Sequence, residues 1–139
     1  MKTFVCILVF SLAATGCTKH GLVLPPYTLF PGIWTVKQVY ANDYWGGRLY
    51  WHDTDWGKQI KFTPDAKYYE KEKTDPDFVL IGTYQVTPGK LIVTWDTPPN
   101  PDYPTYELPY EFDTTGFLTL TTGLFEGVVM EKCQLTMKL

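Results

Sequence analysis

The feature that most constrains this chain is a repeated alternation of apolar and polar residues. In the stretch TYELPYEFD, one face carries Tyr106, Leu108, Tyr110 and Phe112, and the other face carries acidic residues and a proline. A period of two is typical of a β-strand with one buried face and one face in water. The stretches KLIVTWD, FLTLTT and KQIKFT alternate in the same way. An all-β fold is therefore expected.

Short turn sequences separate the alternating stretches. Residues 63–66, 87–89 and 114–116 carry the Gly, Pro, Asp and Thr residues that favour turns, at lengths typical of hairpins. Eight antiparallel strands joined by hairpins favour an up-and-down barrel, whose interior holds side chains or one small ligand. A two-sheet β-sandwich is the alternative. The predicted strands are residues 33–41, 58–63, 67–73, 78–86, 90–96, 105–113, 117–121 and 126–138.

The N-terminal stretch MKTFVCILVFSLAATGC has the layout of a secretory signal. Lys2 precedes an apolar run at 4–12, which is shorter than the about 20 residues needed to span a bilayer. Removal of residues 1–16 is therefore expected. The Ala-Thr-Gly-Cys sequence that ends at Cys17 resembles the lipobox of bacterial lipoproteins. This resemblance implies acylation of Cys17 by several chains, which make a stable membrane anchor. An ordinary signal peptide with a stray cysteine is the alternative.

Residues 17–29 are predicted to be a tether, because they contain prolines and no amphipathic period. Residues 30–139 are predicted to form the folded domain. Thr18 follows the modified cysteine, and by resemblance to Gram-negative lipoproteins a residue other than Asp at this position implies the outer membrane. The expected location is the bacterial cell envelope, lipid-anchored to the outer membrane and facing the periplasm.

Charge and cysteine content narrow the classes of partner. The net charge is −3, and loss of Lys2 with the signal makes it more negative, which argues against nucleic acid as a partner. Cys6 leaves with the signal and Cys17 would be acylated. Cys133 is therefore expected to have no disulfide partner in the chain and to be a small buried apolar side chain.

The runs PGIWTVKQV, KQIKFTPDAKYYEKE, IGTYQVTPGKLIVTWD and YEFDTTGFLTLTT resemble the lipocalin-like domain of small bacterial lipoproteins. Gly32 and Trp34 match the Gly-x-Trp of lipocalins, which implies that Trp34 closes the barrel floor. Lipocalins usually stack an arginine of a late strand on that tryptophan, and this chain has none there. Lys132 and Lys138 are the candidate replacements, although lysine lacks the planar guanidinium.

The stretch NDYWGGRLYWHDTDWG, residues 42–57, is the long first connection of the predicted barrel and, by the resemblance, the lid over its mouth. Its rings and polar groups predict a surface that binds an apolar or aromatic molecule or a sugar. The alternative is that two or three of the rings fill the barrel as a plug. The predicted ligand-binding residues are Tyr44, Trp45, Arg48, Tyr50, Trp51, His52 and Trp56.

No cofactor, metal site or catalytic site is predicted. His52, Asp53 and Asp55 lack the ligand set of a typical zinc site and the spacing of an EF-hand. The sequence also lacks a recognisable pairing of nucleophile and base. Glu131 shares the inner face of the last strand with Cys133, but the favoured interpretation places it at the rim or beside a bulge. A hydrolase or isomerase that uses Glu131 or Asp53 is the least favoured function.

The sequence thus predicts a lipid-anchored envelope protein with a lipocalin-like barrel that binds a small apolar or carbohydrate ligand at its mouth. It is not predicted to be an enzyme. The alternative is a protein-interaction module, such as a peptidase inhibitor or an accessory subunit of an envelope complex. Residues 98–104 are rich in proline and are predicted to be a stiff connection.

Overall fold

The computed structural model describes residues 28–42, 47–125 and 128–139, and within them it contains strands and no α-helix. The predicted all-β class is confirmed. The strands are β1 (Gly32–Asn42), β2 (Leu49–Asp53), β3 (Gln59–Phe62), β4 (Lys67–Lys71), β5 (Val79–Thr87), β6 (Lys90–Trp95), β7 (Thr105–Phe112), β8 (Leu118–Phe125) and β9 (Val128–Lys138).

Strands β2 and β3 lie end to end along the same edge of β1. β3 pairs with residues 32–35 of β1, and β2 pairs with residues 38–42. Between them, residues 55–57 leave the ladder, and the Thr54 amide donates to the Lys37 carbonyl at 2.9 Å. The two strands therefore act as one interrupted strand of the barrel.

The barrel closes by pairing the first strand with the last. Each strand from β3 to β9 pairs antiparallel with the next one along the chain, and β9 returns to β1. The closing ladder runs from Gly32 opposite Lys138 to Ala41 opposite Val128. Counting β2 and β3 as one, the sheet is a closed eight-stranded up-and-down barrel, as predicted, and the β-sandwich is excluded.

The first connection differs from the prediction of one long loop over residues 42–57. β1 continues to Asn42, and Leu49–Asp53 pairs with its second half to form a hairpin arm. A tight turn at Gly46 and Gly47, followed by a short extended flap over residues 48–51, is compatible with the sequence, and β2 overlaps that flap. The prediction of a loop fails here because these residues find ladder partners on β1.

Aromatic rings fill the end of the barrel at which β1 begins. Phe30 has no exposed surface and packs edge to face against Phe62, Tyr110 and Phe112, with ring centroids 5.2, 4.9 and 5.4 Å away. Such ring pairs contribute about 0.5–1.5 kcal/mol each beyond their area burial. The Trp34 indole donates to the Phe30 carbonyl at 2.9 Å and is itself buried. We call this end the floor.

Trp34 packs against an aromatic ring of β7. The Phe112 ring centroid lies 5.8 Å from that of Trp34. Lys132, a candidate for the missing arginine, lies over the Phe117 ring at 5.1 Å instead. Lys138, the other candidate, is exposed at the end of β9. A phenyl ring therefore packs on the indole.

The glycine of the Gly-x-Trp sequence is required by close packing. A Cβ atom on Gly32 would lie 2.6 Å from Cδ1 of Leu135 and 2.8 Å from the carbonyl oxygen of Met137. Both distances are shorter than carbon–carbon or carbon–oxygen van der Waals contact. Gly32 thus allows β9 to cross closely over the start of β1.

A bulge in β1 changes the phase of its alternation. Trp34 and Val36 are buried, then Lys37 is exposed, and the next buried residue is Val39. The register with β9 shifts between Val36 and Gln38, which marks the bulge. Because a bulge adds one residue to one strand, apolar side chains on both halves of β1 face the interior.

The interior of the barrel is apolar over most of its length. Tyrosine hydroxyls tie neighbouring hairpins together at the floor: Tyr84 donates to the Thr63 carbonyl at 2.8 Å, and Tyr110 donates to the Thr87 carbonyl at 3.0 Å. The buried apolar side chains are Phe30, Trp34, Val36, Val39, Ile60, Phe62, Tyr68, Leu91, Val93, Leu118, Leu120 and Cys133.

Candidate functional site

A cluster of charged side chains lies inside the barrel wall. The Lys58 ammonium donates to Oε1 of Glu131 at 3.1 Å and lies 3.7 Å from Oε1 of Glu70. The Tyr68 hydroxyl donates to the same oxygen of Glu70. Glu131 is only 6% exposed. We call these four residues the interior cluster.

Strand alternation brings the interior cluster together. Lys58 is in phase with the buried Ile60 of β3, and Glu70 is in phase with the buried Tyr68 of β4. Glu131 of β9 is buried in the interior. Glu131 is therefore buried rather than at the rim, but it does lie beside a bulge, because its partner Val39 directly follows the register shift between Val36 and Gln38. The Lys58 ammonium inside the barrel compensates its charge.

The interior cluster has an excess of negative charge. Burial alone would lower the pKa of Lys58, but the carboxylates of Glu131, Glu70 and Glu72 raise it above its ordinary value. One ammonium thus contacts two carboxylates of the cluster, and the exposed Glu72 adds negative charge from outside it. Lys58 remains protonated at neutral pH, and it balances only part of the charge around it.

Tyr68 of the interior cluster and the neighbouring Cys133 both stay protonated at neutral pH. Burial, followed by the nearby Glu70 carboxylate, raises the pKa of Tyr68 well above its ordinary value. Burial, followed by the charge of Glu131, raises the pKa of Cys133. A thiol must ionise to act as a nucleophile, so Cys133 behaves as a small buried side chain, consistent with its interpretation from sequence.

An inner-face side chain next to the interior cluster is exposed at the end of the barrel opposite the floor. Val79 of β5 pairs opposite Glu70 and shares its face of the sheet, yet it is 55% exposed. Trp95 packs against Tyr106 nearby, with ring centroids 5.6 Å apart. Solvent therefore reaches the inner face of the sheet at Val79, the first residue of β5. A groove of about 260 Å³ is lined here by Val79, Leu80, Ile81, Trp95, Asp96 and Thr97.

The aromatic residues of β2 are divided between its two faces. Tyr50 pairs opposite Ala41 on the inner face, and its ring centroid lies 3.7 Å from that of His52, with the ring planes tilted by 38°. Trp51 lies on the outer face, where its ring centroid is 5.4 Å from that of Tyr40. Tyr50 is 46% exposed and Trp51 is 39% exposed. The structure brings Tyr50 and His52 together and places Trp51 away from them.

The other predicted ligand-binding residues lie further along the same stretch. Trp56 is 49% exposed in the break between β2 and β3. Arg48 is exposed just before β2. Tyr44 and Trp45 lie outside the described residues. None of the described rings in this stretch is buried in the barrel as a plug.

The described residues contain no group of three or more His, Cys, Asp or Glu side chains that could hold a metal ion. His52 lies on the inner face of β2, whereas the Asp53 carboxylate accepts a hydrogen bond from the Gln38 amide at 2.8 Å on the outer face. Adjacent residues of an extended strand point to opposite faces of the sheet, so His52 and Asp53 do not converge.

Sequence reasoning missed three of the four members of the interior cluster. Lys58 stands in phase with the apolar residues of KQIKF, and Glu70 stands two residues after Tyr68 in KYYEK. The sequence feature that could have indicated the cluster is a charged residue on the apolar face of each strand. It became interpretable once the structure placed all three strands around one interior.

No protein-family model, curated protein or solved structure matches this chain. The likeness to lipocalins therefore rests on the closed barrel and on the sequence resemblance. Within the described ranges, no helix is both long and apolar enough to cross a membrane. Cys17 and the predicted signal lie outside those ranges, so the lipid anchor stays a prediction.

Proposed function

We propose that this chain is a lipid-anchored binding protein of the bacterial cell envelope that takes one small molecule into the mouth of its barrel. The observation that carries the binding function is the interior cluster beside the open groove. Buried ion pairs are often no more stabilising than apolar residues of the same volume, so the fold alone does not require Lys58 and Glu131 there. A role in binding accounts for them.

The surroundings of the interior cluster have the composition of a small-molecule site. Such sites are mostly apolar and aromatic, with a few converging polar groups that orient the ligand. Ile81 and Trp95 supply the apolar wall of the groove, and Glu70 lies across the ladder from Val79 at its edge. Tyr50 and His52 add a pair of neighbouring rings on the inner face of β2.

The anchor is supported by the sequence that ends at Cys17. An acylated Cys17 followed by a short tether would hold the barrel close to the membrane surface. Metabolic labelling with a tagged fatty acid tests this part. We expect label on the full chain and none on the Cys17→Ser variant, and equal labelling of both would contradict the anchor.

Native mass spectrometry of the full chain, extracted from bacterial membranes in mild detergent, tests the binding function. We expect a stoichiometric adduct that is lost on denaturation and lost in Trp95→Ala. If the adduct is instead lost in a Trp51→Ala, Trp56→Ala double variant, the ligand binds at the aromatic residues of β2 and the segment that follows it. A bare chain from every preparation would contradict small-molecule binding.

A protein-interaction module is the second candidate, and the edge of β2 favours it. β2 pairs with β1 along one edge, and no strand of the described ranges pairs with its other edge. Leu49 and Trp51 are exposed there. An open edge can accept a strand from a partner. Cross-linking of the intact chain in membranes should then capture one protein, and replacing residues 49–53 with Gly and Ser should abolish the product.

A further inference from the structure

The charge at the barrel mouth restricts the ligands that it can accept. The carboxylate of Glu70 is the more accessible acid of the interior cluster: its side chain is 26% exposed, against 7% for Glu131. Asp96 lines the neighbouring groove, and the described lining contains no lysine or arginine. A ligand that enters through the groove therefore meets carboxylates first.

Lys58 already forms ion pairs with the two carboxylates next to the groove. Its side chain is 18% exposed, and its ammonium lies closer to Glu131, at 3.1 Å, than to Glu70, at 3.7 Å. The shorter contact is with Glu131, the more buried acid, so the ion pair between Lys58 and Glu70 is the weaker of the two. The Tyr68 hydroxyl fixes the orientation of the Glu70 carboxylate. A second cation at Glu70 would balance charge that Lys58 leaves uncompensated.

We propose that the mouth binds a protonated amine with an apolar or aromatic body, with the ammonium at Glu70 and the body against Ile81 and Trp95. This inference rests on the proposed function and names its class of ligand. A hydrogen bond between an ammonium and a carboxylate is stronger than a neutral one, and an aromatic face next to the site attracts cations as well. A carboxylate ligand would be repelled.

Calorimetric titration of the full chain with three probes of similar size tests the class. The probes are phenethylamine, 2-phenylethanol and phenylacetate at pH 7. We expect phenethylamine to bind about tenfold more tightly than 2-phenylethanol, because one charge-assisted hydrogen bond contributes about that difference. Phenylacetate should bind most weakly.

Substitutions test whether Glu70 causes the preference for the amine. Glu70→Gln keeps an acceptor for the Tyr68 hydroxyl and removes the charge, so the fold should persist and the preference for the amine should disappear. Glu111→Gln is the matched control, because Glu111 is exposed on the opposite face of its strand from the interior. It should leave all three affinities unchanged. Thermal melting of each variant confirms that it is folded.

The outcomes separate the inference from the proposed function. Equal binding of amine and alcohol, or an amine preference that survives Glu70→Gln, overturns the ligand class and leaves small-molecule binding standing. Tightest binding of phenylacetate overturns it in the same way. Binding of none of the three probes overturns the class, and a bare chain in native mass spectrometry would remove the proposed function as well.

Discussion

Replacing Lys58 with methionine would test whether the interior cluster is held together by its one cation. Methionine keeps much of the length of the side chain and removes the ammonium. Glu131, at 6% exposure, would then remain inside the barrel without its counter-ion. The Tyr68 hydroxyl would still donate to Glu70. The perturbation is thus one unpaired carboxylate in an apolar wall.

The structure gives the size of the effect. At an effective dielectric constant of about 20, an ammonium and a carboxylate 3.1 Å apart attract by about 5 kcal/mol before the cost of desolvation. Breaking a buried pair by removing one partner costs about 3–5 kcal/mol. Lys58 keeps 18% of its side-chain exposure, so water compensates part of the loss. We expect the free energy of unfolding to fall by about 3 kcal/mol.

Urea denaturation followed by tryptophan fluorescence measures this change, and the chain provides a matched control. Lys90 and Glu107 form a pair at 2.6 Å on the surface, with side chains 52% and 57% exposed. Lys90→Met should cost less than about 1 kcal/mol, as exposed pairs do. Adding Glu131→Gln to Lys58→Met should recover part of the loss, because the unpaired charge is gone. Equal costs for the two lysine variants would refute the reasoning.

Two further predictions concern stability. The free energy of unfolding should fall as pH rises above about 9, because Cys133, Tyr68 and Lys58 all have a pKa that is higher in the folded chain than in the unfolded one. The contribution of these groups to the free energy of unfolding is complete below their unfolded pKa values of 9.0, 10.0 and 10.5, and it is lost as pH rises past them. Urea denaturation midpoints measured from pH 7 to 11 check this prediction. A midpoint that does not change with pH would contradict it. Phe30→Ala should cost about 3–5 kcal/mol by the same assay, as for a fully buried ring, whereas Tyr103→Ala, at 64% exposure, should cost less than about 1 kcal/mol.

Alternation predicted most of the barrel, because each of its strands has one face inside. The pattern from Tyr106 to Phe112 identified β7 and its inner face correctly, and the turn sequences identified the hairpins. β2 was not recognised as a strand of the sheet, because Tyr50 and Trp51 place aromatic rings on both of its faces. No period of two distinguishes such a strand from a loop.

Other features depend on contacts that a local pattern does not contain. Phe30 stands in a segment with prolines and no period, and its place among the floor rings depends on side chains of β3 and β7, which come later in the chain. The bulge at Lys37 shifts the phase of β1 by one residue, and only the pairing with β9 reveals it. Glu131 is acceptable inside because Lys58 lies beside it, although the two are 73 positions apart in sequence.

The closing ladder between β1 and β9 has a consequence for how the chain folds. The pairs β1–β2 and β3–β4 through β8–β9 each join strands that follow one another along the chain, so these ladders can form at small entropic cost. The β1–β9 ladder joins the two ends of the domain, Gly32 to Lys138, and must wait for the strands between them. Contacts between distant residues slow folding. A circular permutant with its ends joined and its chain cut at the β5–β6 turn would make this ladder local and leave β5–β6 to close last. The position of the chain ends, rather than the residues of the ladder, thus decides which pair of strands is the slow one.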